Sequence, residues 1–143
     1  MNTTYAIKHR MEVEASPEAL YTALTTEQGL ASWWTPMIST EGTVIKFRFG
    51  DGKSGADMRV DETIPEERVV WTCIDGPWPE MRFIFSIAPH ERGAVLHFDH
   101  EGWSEEGDFF RHCNMKWGYF LASSLKPLLE SGKGAPHPLD PSI

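Results

Sequence analysis

Residues 5–14 alternate. Ile7, His9, Met11 and Val13 fall on one side, and Lys8, Arg10, Glu12 and Glu14 on the other. Period two over this length predicts a half-buried β-strand. Ser16-Pro17-Glu18 then marks a helix start: Ser as N-cap, Pro at the first helical position, Glu at the positive end of the dipole. Leu20 and Leu24 lie one turn apart on that helix. Thr25 or Thr26 caps a second short helix carrying Leu30, Trp33 and Trp34, which Pro36 ends. Two adjacent tryptophans cannot both face the core from so short a helix, so one is expected inside and the other at a cavity mouth.

Five further alternating runs follow, at 43–49, 56–64, 68–74, 81–87 and 94–101, separated by Gly-, Pro- and Asp-rich turns. Short strands joined by brief turns predict an antiparallel meander. From about Glu105 the period changes. Phe109, Cys113, Trp117, Phe120, Leu121, Ser124, Leu125 and Leu128 recur at three and four, predicting one long amphipathic helix that ends near Gly132. Pro127 should kink it or end it early. Residues 133–143 are Gly- and Pro-rich and read as a flexible tail, leaving 1–132 as one domain. The order β-α-α-β-β-β-β-β-α predicts an α+β fold. A six-stranded antiparallel sheet twists around the C-terminal helix, the only long apolar one.

Composition narrows the function classes. The 143 residues carry 13 Lys+Arg against 21 Asp+Glu, a formal charge of −8, which argues against a nucleic-acid partner. The 17 Phe, Trp and Tyr residues exclude a disordered chain. No apolar run reaches the ~20 residues of a membrane span, and the N-terminus has no signal-peptide pattern, so a cytoplasmic protein is expected. Cys73 and Cys113 form no CxxC pair and read as reduced, buried thiols.

Three segments resemble the START-like or SRPBCC superfamily, the helix-grip fold, and within it the family named for the activator of the heat-shock protein 90 ATPase. They are Val13–Thr25, strand into capped helix; Leu30-Ala31-Ser32-Trp33-Trp34-Thr35-Pro36; and His100-Glu101-Gly102-Trp103 with the later Trp117-Gly118-Tyr119-Phe120-Leu121. The resemblance spans about residues 5–130. It implies a birch-pollen-allergen-like architecture with a cavity between the concave sheet and the last helix. Relatives use that cavity for lipids, polyketides, hormones or other apolar molecules, and some cyclise or hydrolyse their cargo. It also makes a homodimer plausible.

The candidate ligand-binding residues follow from the inward phase of the strands. Phe47, Met58, Val60, Trp71, Phe83, Phe85 and Phe98 supply apolar contact area, and Trp34, Cys113 and Trp117 join them from the helices. Three polar groups interrupt the same phase: His9, Glu62 and His100. A buried polar group needs a partner or solvent, so these, with His112, would orient a ligand's polar atoms. His100 is the weak catalytic candidate, because histidine titrates near neutrality. Trp78, between two prolines, is a candidate plug or lid. No spacing marks a metal site, and no cofactor motif or catalytic triad is found. The leading expectation is a small apolar or aromatic ligand in an internal cavity. The alternatives are a cyclase- or hydrolase-like acid–base enzyme, and a protein-interaction module or chaperone ATPase activator.

Overall fold

A computed structural model describes residues 3–143. Seven antiparallel strands run in the order β1-β7-β6-β5-β4-β3-β2. They are β1 (Tyr5–Val13), β2 (Ile38–Glu41), β3 (Val44–Phe49), β4 (Ser54–Ile64), β5 (Arg68–Asp75), β6 (Arg82–His90) and β7 (Gly93–Trp103). Two short helices, α1 (Pro17–Thr25) and α2 (Glu27–Trp33), separate β1 from the meander. The C-terminal helix comprises α3 (Asp108–Tyr119), a π-helical segment (Phe120–Leu125) and α4 (Lys126–Ser131). This is the α+β helix-grip arrangement that the sequence predicts.

The caps are local. The Ala19 N–H donates to Ser16 Oγ at 3.0 Å, and the Gly29 N–H to Thr26 Oγ1 at 3.0 Å. Each side chain thereby satisfies one of the free donors of a first helical turn.

The sheet has one strand more than the six expected. Residues 38–41 are Ile-Ser-Thr-Glu, and the last three are exposed. This edge strand buries no face, so it shows no apolar alternation. What specifies it is the hairpin: Glu41 pairs with Val44 across Gly42-Thr43, with Gly42 at φ 62°. Positive φ at a two-residue hairpin turn is the conformation glycine adopts without strain.

A β-bulge in β4 overturns the inward placement of Glu62. Val60 pairs with Trp71, but Glu62 pairs with Val70, which leaves Asp61 as the extra residue. One inserted residue reverses every side chain beyond it. Asp61 is fixed there by Arg59 and by the Thr72 hydroxyl. Glu62 therefore lies on the outer face, 41% exposed and 3.3 Å from Arg68.

Pro127 does not end the helix. The π-helical segment ends two residues before it, where the Lys126 N–H reaches back to the Leu121 carbonyl. The wider turn accommodates a residue that has no N–H and crowds the turn before it. The helix closes at Gly132, φ 85°. The following tail makes contacts that its composition does not foretell. The Ser124 hydroxyl donates to the Trp33 carbonyl at 2.6 Å and accepts from the Ala135 N–H at 2.9 Å. The His137 N–H donates to the Trp34 carbonyl at 2.8 Å. Gly134 passes so close to α2 that a Cβ there would lie 2.2 Å from the Ser32 carbonyl oxygen.

Ser124 is fully buried and joins three segments. Ser124→Ala removes both bonds and orphans a carbonyl and an N–H. The expected loss is roughly 1–3 kcal/mol of unfolding free energy, measured by urea titration.

Candidate functional site

The space between sheet and C-terminal helix is filled by aromatic rings. Trp34 stacks on Trp71 with centroids 6.1 Å apart, Trp71 meets Phe85 at 4.9 Å, and Phe85 meets Phe98 at 4.9 Å. Phe98 touches Trp117 at 4.5 Å, and Trp117 returns to Trp34 at 5.1 Å, which closes a ring of contacts. Both tryptophans of the Trp33-Trp34 pair are buried. Trp33 is the last residue of α2 and donates its indole N–H to the Ala23 carbonyl at 2.9 Å. Trp34 is the C-cap, where the chain turns away, so its ring points elsewhere.

The interior is therefore closed at its centre and open at one end. A cleft of about 310 Å³ lies between α3, the loop joining β5 to β6, the end of β3 and the C-terminal tail. Helix α3 contributes Phe109, His112, Cys113, Lys116 and Trp117, and the π segment adds Phe120. Spacings of three and four place them on one helix face. Pro77 and Trp78 come from the β5–β6 loop, Phe49 from β3, and His137 and Asp140 from the tail.

Of the expected ligand-binding residues, Trp34, Cys113 and Trp117 line this cleft. Phe47, Met58, Trp71, Phe83, Phe85 and Phe98 do not. Each is at most 1% exposed and packed into the core. Val60 is partly buried against the same core, and Glu62 is on the other side of the sheet. His9 lies on the inner face opposite Phe98, beneath Gly118 of α3. Trp78 and His112, both singled out in the sequence, are at the cleft. The pattern did not point to Phe49, Pro77, Lys116, Phe120, His137 or Asp140 as site residues. Phe49 and Phe120 were visible as in-phase apolar positions. Nothing in the tail marked His137 or Asp140.

The polar side of the cleft is a clasp between helix and tail. Lys116 Nζ donates to Asp140 Oδ2 at 2.6 Å and to the Pro141 carbonyl at 2.5 Å. His137 Nε2 accepts from the Gly50 N–H at 2.9 Å, so its Nδ1–H donates to Asp140 Oδ1 at 2.7 Å. Burial opposes ionisation of Asp140. The hydrogen bonds from Lys116 and His137 outweigh it and hold the carboxyl below its ordinary range. Burial pushes the Cys113 thiol up, so it is a protonated, weakly reactive group.

His100 stands behind the cleft wall, not on it. It is fully buried, and its Nδ1 accepts the Trp117 indole N–H at 3.1 Å. Burial lowers the imidazole to about 3. A neutral ring whose basic nitrogen is already hydrogen-bonded has little capacity to carry protons near pH 7. Among the described residues, no three His, Cys, Asp or Glu side chains are grouped to hold a metal ion.

Residues 14–130 match the family described as Activator of Hsp90 ATPase homolog 1-like protein. The chain belongs to this family. Among solved structures it is similar to the Aha1 dimer from Colwellia psychrerythraea, with 42% identity and a TM-score of 0.82 over 91% of this chain and 99% of that one. A Chromobacterium violaceum protein shares 25% identity at a TM-score of 0.71, covering 87% of this chain and 96% of that chain. A Staphylococcus saprophyticus protein, at 17% identity and TM-score 0.76 over 91% and 95% of the two chains, shares the fold. No curated protein matches the chain.

The buried imidazole of this family member couples stability to pH. Unfolding frees His100 to take a proton below its ordinary value near 6.5, while the folded state resists protonation down to about 3. The unfolded state thus binds more protons across that window, and stability falls as pH drops through it. Between pH 7 and pH 5 the expected contribution is a loss of roughly 2 kcal/mol. Urea titrations at the two pH values should show it, and His100→Phe should remove it.

Proposed function

We propose that this chain is a protein-interaction module of the chaperone-ATPase-activator type, acting as a homodimer in the cytoplasm. The exposed Phe109 at the cleft carries this reading. Phe109 lines the cleft and is 47% exposed. Met115 and Leu139, both exposed, are the sequence neighbours of Lys116 and Asp140 in the clasp. A half-exposed aromatic at the mouth of a concave aromatic site suits an anchoring side chain from a partner. Family membership and the 42% identity to a protein named Aha1, itself a dimer, support the same reading. Among the described residues, no helix is long and apolar enough to cross a membrane.

The test is ATP turnover by a heat-shock protein 90 chaperone with and without this chain, alongside sedimentation of the chain alone. Stimulated turnover and a concentration-dependent dimer are expected. Phe109→Glu should weaken chaperone binding by roughly thirtyfold, the scale of an interface hot spot, with no change in thermal midpoint. Absence of both binding and stimulation overturns the activator reading.

A second reading is favoured by the volume of the cleft. About 310 Å³ lies within the range of small-molecule pockets, and most of the lining is aromatic. In this reading a small apolar or aromatic molecule occupies the cleft. Ethylnaphthalene should quench tryptophan fluorescence, and His112→Trp, which fills the mouth, should abolish the effect. An unquenched wild-type protein overturns it.

A further inference from the structure

Three aromatic rings packed together at the cleft wall each carry a buried N–H without an acceptor among the described residues. The first is His100. Its Nδ1 accepts from Trp117, so the ring proton is on Nε2, and that N–H is buried with no hydrogen-bond partner among the described residues. The second and third are the indole N–H groups of Trp78 and Trp103, in the same condition. The His100 ring centroid is 5.5 Å from that of Trp78 and 4.9 Å from that of Trp103. His100 is 0% exposed and Trp103 4%. The Trp78 N–H approaches the Cys113 sulfur, a weak acceptor, without meeting hydrogen-bond geometry. Aromatic ring faces recover only part of what an N–H loses on leaving water.

All three groups are donors. Native proteins leave few buried polar groups unpaired, and these three lie on rings that pack together, apart from the Asp57 carboxylate oxygen on β4, which also lacks a hydrogen-bond partner. Low basicity keeps His100 neutral, hence a donor through Nε2, throughout the physiological range. Trp78 belongs both to this cluster and to the cleft lining. It lies between Pro77 and Pro79, in a loop whose Gly76 and Glu80 have φ of 132° and 61°.

We propose that this donor cluster receives the acceptor oxygen of an apolar ligand: a carbonyl or carboxylate at the tip of an aromatic body lying in the cleft. The inference rests on the second reading above and adds the polar group it selects. An ammonium finds no acceptor there, and a hydrocarbon leaves the donors unpaired. A site built to hydrogen-bond a substrate atom discriminates against analogues that lack it. Trp78, which both lines the cleft and packs on His100, connects the two.

The experiment compares matched probes: acetylnaphthalene, naphthoate and ethylnaphthalene. Affinities are read from tryptophan fluorescence, and the side-chain N–H resonances of Trp78, Trp103 and His100 from nitrogen-15 NMR. The oxygen-bearing probes should bind about tenfold tighter than ethylnaphthalene, corresponding to one net hydrogen bond. The N–H resonances should shift with the oxygen-bearing probes only. Trp103→Phe keeps a ring and removes the N–H. This variant and His100→Phe should each bring the ratio towards one while ethylnaphthalene affinity persists. The NMR comparison needs no variant, so it decides the matter if either substitution prevents folding. Equal affinity for all three probes overturns the donor site alone. Binding of none overturns it together with the small-ligand reading. N–H groups that contact only water and ignore every probe overturn it as well.

Discussion

The position of Trp117 fixes most of what surrounds it. Its ring closes the aromatic circuit through Trp34, Trp71, Phe85 and Phe98, and its indole N–H is spent on His100. Interiors pack at the density of organic crystals, so rings of this size leave no continuous channel between sheet and helix. The aromatic cleft opens where the circuit ends, beside Phe120 and Phe109. The same contact decides the chemistry of His100: an imidazole that accepts from a buried indole is neutral, and its remaining nitrogen is a donor. The packed centre, the terminal cleft and the donor cluster share one cause.

The second constraint is polar. A π-helical turn holds Ser124 where it can link the Trp33 carbonyl to the Ala135 N–H. That link directs residues 133–143 back across the cleft, where Lys116, Asp140 and His137 complete the wall and the Gly50 N–H holds His137. Lys116 and Asp140 are each mostly buried, and an ion pair taken from water needs good geometry and further hydrogen bonds. Here Pro141 and His137 provide them. One side of the cleft is thus apolar and set by the helix face, and the other is polar and set by the tail. An aromatic surface beside a neutralised clasp suits apolar or weakly polar occupants, whether a partner's side chain or a small molecule.

Much of the fold was legible from periodicity. The six longer strands, the two capped helices and the long C-terminal helix all follow from apolar spacing and cap residues, because each buries one face. What escaped was what buries no face or breaks the period. Strand β2 has three exposed residues out of four and exists through its hairpin. The bulge at Asp61 sends Glu62 outward, although a period-two count from Met58 points it inward. The site was legible in part. Trp34, Cys113 and Trp117 were expected at a cavity and line the cleft, with Trp78 and His112 beside them. Phe47, Met58, Trp71, Phe83, Phe85 and Phe98 share the inward phase and yet lie in the packed core.

The amino-acid sequence by itself determined which side chains face inward and in what order the elements occur. Those properties depend on neighbours three or four positions away in a helix and two in a strand. Whether the inward rings fill the interior or enclose space was decided only by the tertiary structure. That outcome depends on the volumes of side chains from five elements meeting at one point, a quantity no local spacing encodes. The partnerless donors behind the wall belong to the same level. His100, Trp78 and Trp103 were each noted in the sequence, but their shared lack of an acceptor among the described residues appears only once the sheet, the loop and the helix are brought together.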